Sequence, residues 1–408
     1  MTEINPDAAR LISLLAERNV ATETMGEADW RRIVALAQKH SVAPMLHVRL
    51  KERGITPPPA IAEQLRQIYL ASATRNLRLF QELGDILRAL QAANIPVIPL
   101  KGAWLAEAVY GNIALRPMSD VDLLVKPKDM IAALDVLRAL GYASEYSFDP
   151  FTEQAISQHM PRMFKPGGLK VEMHWTTMNP RYRAQFDHDD LEQLWSRANP
   201  AIIRGVPVLT LAPIDLLLHL CLHASVQHRF DGAGLRNYLD IALLIRQSGD
   251  AIDWTQFTAR ANRWGIANGV WLALQLAQEW TDVVVPAPVL VALQAAPLDD
   301  ATMDWVRHKI WNGSALALKS NVARFAGKER IADRLAALRD ALFPSRHAMA
   351  SMYHAPANSW RIFFYYPVRF KDLWVRYSQA MWQVLWRDKT LTTEARQEAH
   401  LREYLGWN

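Results

Sequence analysis

The chain has 408 residues, with 46 basic and 41 acidic side chains, one cysteine and half of its residues hydrophobic. That length accommodates about two or three domains with a sizeable core, and the composition excludes wholesale disorder and fibrous repeats. The lone Cys221 excludes an internal disulfide framework and any multi-cysteine zinc or iron–sulfur centre.

The net charge of +5 is small for this length and spread along the chain, which reads as a solubility feature rather than a polyanion-binding surface. The sequence opens Met1-Thr2-Glu3-Ile4-Asn5-Pro6-Asp7 with no basic segment leading into an apolar one. Its longest apolar run, near 283–298, is broken by Pro286 and Pro288. A cytoplasmic location is therefore expected.

Asn5-Pro6-Asp7 has the form of an N-cap, a proline in the first turn and an acid, which opens a helix. Further helices are expected over 29–38, over 43–52 with Gly54 as a stop, and over 59–93, so residues 1–94 form an N-terminal helical region without evident chemistry. From Ile95 to Trp175 the period changes to short apolar runs at 97–100, 121–125 and 169–175, separated by helical stretches such as 128–140. Lys165-Pro166-Gly167-Gly168-Leu169 reads as a tight turn, so the strand carrying Glu172 is expected to pair with its predecessor. Residues 95–210 are assigned to an α/β core on this basis, and the long helical segments at 213–226 and 235–247 open a second helical lobe over 211–345.

The tail, 346–408, is Trp-rich and basic. Phe370, Leu373, Trp374, Tyr377, Met381, Val384 and Leu385 fall on one helix face. This stripe is expected to dock on the helical lobe or to form a homodimer contact, in preference to a membrane surface.

The chemistry concentrates in Arg116-Pro117-Met118-Ser119-Asp120-Val121-Asp122-Leu123-Leu124-Val125. Asp120 and Asp122 alternate with apolar residues in a strand, so both carboxylates share one face. Two such acids repel, and Mg²⁺ is the usual ion that neutralises them. Replacing either by Asn is expected to leave the stability of the metal-free protein level or higher.

Upstream, Leu100-Lys101-Gly102-Ala103 runs from a strand through a glycine into a helix, an arrangement that receives phosphate. Downstream, Lys170-Val171-Glu172-Met173-His174-Trp175 brings a third acid, with His174 on its face as a candidate to orient the metal-site carboxylates. Arg236 and Asp240, one helical turn apart, either form an intrahelical pair or face the cleft. His219 and His223 are read as structural or substrate-lining, and Asp187, Asp189 and Asp190 as a helix N-cap with first-turn acids.

The lysine–glycine turn, Tyr110, the RPMSDVDLLV strand, the helix ending Leu140-Gly141-Tyr142 and the VEMHW strand occur in an order that resembles the uncharacterised bacterial nucleotidyltransferase family of the polymerase-beta superfamily. The resemblance implies an α+β fold: a polymerase-beta-like nucleotidyltransferase core with a mixed sheet, flanked by N-terminal and C-terminal helical regions. It implies transfer of a nucleoside monophosphate from an NTP, with ATP expected, to an acceptor hydroxyl on a small molecule, peptide or RNA. Asp120, Asp122 and Glu172 would be the catalytic and metal-binding acids for two Mg²⁺, with Mn²⁺ as an alternative, and Lys101, Gly102, Ser119 and Arg236 would bind nucleotide. Ala103 stands where the superfamily often has serine, so Lys101 is expected to supply the missing phosphate contact. Other readings are a catalytically degenerate nucleotide- or partner-binding protein and a toxin-like enzyme acting on RNA.

Overall fold

The computed structural model describes residues 5–16, 18–144, 148–179, 185–227, 230, 234–294 and 296–313. In the C-terminal part it describes 339, 342–344, 346, 349, 353, 359–374 and 389–406. Packing separates Thr2–Glu145 with Glu153–Ala295 from a second unit, Tyr146–Thr152 with Ala296–Asn408. The residues of the functional site all belong to the first.

Helices α1 (Pro6–Leu15), α2 (Glu27–Lys39), α3 (Ala43–Glu52) and α4 (Pro59–Ala92) precede the sheet. The Asn5 side chain accepts from Asp7 N at 2.9 Å, the cap expected there. With 34 residues, α4 is about 51 Å long. It does more than pack. Its buried Ser72 donates to Ala114 O at 2.7 Å, and its buried Asn76 donates to Arg116 O at 2.8 Å and also to Ile113 O. The helical region expected to lack chemistry thus fixes the loop that enters the acidic strand.

The five-stranded mixed sheet has the order β1-β2-β5-β4-β3, from β1 (Val97–Leu100), β2 (Asp120–Val125), β3 (Ala143–Ser144), β4 (Met163–Phe164) and β5 (Lys170–His174). Strand β2 runs antiparallel to β1 and parallel to β5, with Asp122 paired to both Leu100 and Glu172. The tight turn after Lys165 joins β4 to β5 in antiparallel pairing, as expected. Val121, Leu123, Leu124 and Val125 are fully buried, and each contributes roughly 1.5–3 kcal/mol of hydrophobic stabilisation. This core is why β2 holds its acids at a fixed height. Helices α5 (Gly102–Ala108), α6 (Met130–Ala139) and α7 (Pro150–Ile156) complete this stretch of chain.

Helix α8 (His188–Ser196) opens with Asp187 as N-cap and Asp190 closing a capping box, which confirms the reading of those acids. A hairpin that the sequence reading passed over follows, from β6 (Asn199–Ile203) to β7 (Val206–Thr210). Its two-residue turn, Arg204-Gly205, has both residues at positive φ, 52° and 75°, which suits the right-handed twist of the strands.

Helices α9 (Pro213–Leu222), α10 (Gly234–Ser248), α11 (Trp254–Arg263), α12 (Ala267–Thr281) and α13 (Ala287–Leu293) finish the first unit. A π-helical turn, His223–Gln227, extends α9.

In the second unit, α14 (Asp300–Asn312) and α15 (Lys389–Tyr404) are joined by a buried ion pair of Lys309 with Glu398 at 2.8 Å. In the tail stripe, Phe370 and Trp374 are 57% and 60% exposed, and their rings stack on each other with centroids 6.5 Å apart. Tyr377, Met381, Val384 and Leu385 lie outside the described residues. Among the described residues no helix is long and apolar enough to cross a membrane.

Candidate active site

Parallel pairing of β2 with β5 puts Asp122 directly beside Glu172, and the pleat turns Asp120 and His174 to the same face. Asp120, Asp122 and Glu172 line a cleft of about 350 Å³ together with Lys101, Gly102, Ser119, Arg162, His159, His223 and Arg236. All seven residues singled out from the sequence for catalysis or nucleotide binding, Lys101, Gly102, Ser119, Asp120, Asp122, Glu172 and Arg236, meet in this one cleft.

Each of the two inner acids is held by a cation. Lys101 Nζ lies 3.2 Å from Asp122 Oδ2, and Arg162 donates to Glu172 Oε1 at 2.6 and 3.0 Å. His174 Nε2 lies 3.0 Å from Asp122 Oδ1. Burial alone would raise the Asp122 carboxyl, but the Lys101 ammonium and the His174 hydrogen bond hold it well below the usual carboxylate range. Asp120 shifts the other way: burial first, then the charges of Asp122 and Glu172, raise it. Burial lowers His174 against the pull of Asp122, and burial pushes His219 down to about 3, so both rings are neutral near pH 7.

One donor atom from each of Asp122, Glu172 and His174 fits within 4.8 Å. This buried, anionic set, with Asp120 beside it, suits a divalent cation.

The turn from β1 into α5 departs from expectation in an informative way. The left-handed backbone belongs to Lys101, φ 48°, and not to Gly102. A lysine held there is strained by about 1–3 kcal/mol, and the conformation carries its ammonium to Asp122. Gly102 is needed for a different reason: a Cβ there would run into Arg116 Nη1 and come within 2.5 Å of Met118 Sδ.

Arg116 cannot yield. It is buried, and it pairs bidentately with Asp240 of α10 at 2.9 and 2.7 Å, where Tyr110 also donates to Asp240 at 2.7 Å. Gly102→Ala should therefore lower stability by about 1–3 kcal/mol, read as a lower thermal midpoint. An unchanged midpoint would mean that Arg116 moves aside freely.

Asp240 is thus taken by Arg116 and Tyr110 and does not line the cleft, whereas Arg236 does. Arg236 donates to Pro117 O at 2.8 Å, and burial followed by the nearby Arg116 charge lowers its pKa. The sequence reading passed over Arg162 and His159. Arg162 and His159 lie in the loop before β4, outside any motif. The pairing of Arg116 with Asp240, far along the chain, left no local signal.

A family model described as "uncharacterised nucleotidyltransferase" matches residues 26–282, well over half of the chain and every residue of this cleft. The chain belongs to that family. It is a nucleotidyltransferase with a mixed sheet and helical flanks. Among solved structures, that of the antibiotic-resistance factor ANT(2'')-Ia matches at 14% identity and a TM-score of 0.33, covering 45% of this chain and 91% of that one. No curated protein matches the chain.

Within this nucleotidyltransferase, His223 lines the cleft from the π-helical turn with its Nδ1 3.3 Å from Asn237 Nδ2, while His219, one turn earlier, is buried. The two therefore do not share an open zinc-binding face. His228 lies outside the described residues.

Proposed function

We propose that this nucleotidyltransferase moves a nucleoside monophosphate from an NTP, with ATP as donor, to a hydroxyl of a small molecule, peptide or RNA, releasing pyrophosphate in a Mg²⁺-dependent reaction. The observation that supports this reading best is the in-register pairing of Asp122 with Glu172 while Asp120 shares their face. Asp120, Asp122 and Glu172 would hold two Mg²⁺ ions, which would neutralise triphosphate charge and polarise the reacting oxygens.

The remaining work falls to the chain. Lys101 and Arg236 present cationic side chains to the phosphates, and Ser119 and Gly102 line the same cleft. Glu172 takes the proton of the acceptor hydroxyl as general base. The acceptor oxygen bonds to the α-phosphorus as the bond from that phosphorus to the β-phosphate bridging oxygen breaks, and pyrophosphate leaves.

Glu172→Gln tests this division of labour. Pyrophosphate release in the presence of cell extract should fall at least about a hundredfold in kcat, with nucleotide affinity changed less than about threefold. Loss of nucleotide binding in step with turnover would make Glu172 a binding residue instead.

A further inference from the structure

The donor atoms that face one another in the cleft are not all oxygen. His174 Nε2 lies 3.0 Å from Asp122 Oδ1 and 3.9 Å from Glu172 Oε2. The other carboxylate oxygens are engaged, Asp122 Oδ2 by Lys101 and Glu172 Oε1 by Arg162. An ion about 2.1 Å from each ligand places neighbouring ligands about 3.0 Å apart and opposite ones about 4.2 Å apart. Both separations from the imidazole fall within that range and the three donors lie within 4.8 Å of one another, so small side-chain shifts would close all three on one ion.

His174 is 1% exposed, and its Nδ1 has no hydrogen-bonding partner. Asp122 accepts the Nε2 proton when no cation is bound, and no partner at Nδ1 competes with its transfer there when a cation takes the carboxylate oxygens. With the proton on Nε2 the ring donates to Asp122, and with the proton on Nδ1 the Nε2 lone pair faces the acids.

We infer that the ion seated between Asp122 and Glu172 takes His174 Nε2 as a ligand, so that this seat prefers a first-row transition ion to Mg²⁺. The inference rests on the nucleotidyl-transfer reading, in which these acids hold divalent ions. Its physical basis is ligand character: Mg²⁺ favours oxygen and sheds water reluctantly, whereas imidazole binds later divalent ions with increasing strength.

Mn²⁺ alone, added to the full-length protein, is the probe. Pulsed electron paramagnetic resonance should show ¹⁴N modulation from a directly bound imidazole. His174→Gln should abolish that modulation and weaken Mn²⁺ binding by about 10- to 100-fold, with Mg²⁺ affinity changed less than about threefold. His159→Gln and His223→Gln should keep the modulation, which assigns the nitrogen even if His174→Gln folds poorly. Bound Mn²⁺ without nitrogen coupling in the unaltered protein, or coupling that survives His174→Gln, would overturn the inference and leave nucleotidyl transfer standing. Mn²⁺ binding indifferent to Asp122→Asn would overturn both.

Discussion

Asp122→Asn and Asp120→Asn should each reduce nucleotidyl transfer on the order of a thousandfold, yet move stability in opposite directions. Sequence alone treats the two acids as equivalent members of a repelling pair. The structure separates them. Asp122 is the partner of Lys101 at 3.2 Å and of His174 at 3.0 Å, and an asparagine there leaves a nearly buried ammonium without its counter-charge. The expected cost is about 1–3 kcal/mol at pH 7.

Because the folded carboxyl of Asp122 lies well below its unfolded value, that contribution is complete above about pH 4 and lost as pH falls toward the folded value. Asp120 has the reverse sign. Its carboxyl is raised by burial and by Asp122 and Glu172, so its charge penalises the fold near neutrality. Asp120→Asn should be as stable as the unaltered protein or more so at pH 7, with the difference vanishing below about pH 4. Thermal melts of both variants at pH 7 and at pH 4 check this. A stabilised Asp122→Asn protein would refute the assigned pairing.

The largest effect on stability is expected at the Arg116–Asp240 pair. Both side chains are almost fully buried, and the bidentate contact ties the loop before β2 to α10. Asp240→Asn leaves the Arg116 charge buried beside Arg236, whose own pKa is already lowered by burial and by Arg116. Breaking a buried pair from one side costs about 3–5 kcal/mol, which corresponds to a thermal midpoint lower by roughly 6–20 °C. Replacing both members together, Arg116→Met with Asp240→Leu, should recover much of that loss because no charge is then stranded. A double variant no more stable than Asp240→Asn alone would contradict this explanation.

The sequence made some of these features legible because they are local. Helix α1 follows from Asn5-Pro6-Asp7, α8 from the Asp187 capping box, and the shared face of Asp120 and Asp122 from strand periodicity alone. What stayed hidden depends on partners distant in the chain. The register that sets Asp122 against Glu172 is fixed by parallel pairing across the intervening α6, β3, α7 and β4, and strand patterns do not reveal which strands become neighbours.

The role of α4 was invisible for the same reason, since Ser72 and Asn76 look like ordinary polar residues until Ala114 and Arg116 are placed beside them. Gly102 was noticed for phosphate access, but its tightest constraint is the side chain of Arg116, itself positioned by Asp240.

The most direct test of the central claim compares two labels of the same nucleotide. The purified protein is incubated with cell extract and Mg²⁺ or Mn²⁺, using each NTP labelled at the α-phosphate and, separately, at the γ-phosphate. The account predicts that α-label enters an acceptor with release of one pyrophosphate per transfer, that γ-label does not, and that Asp120→Asn and Asp122→Asn abolish incorporation. Entry of γ-label into an acceptor, or α-label incorporation undiminished in Asp122→Asn, would contradict it.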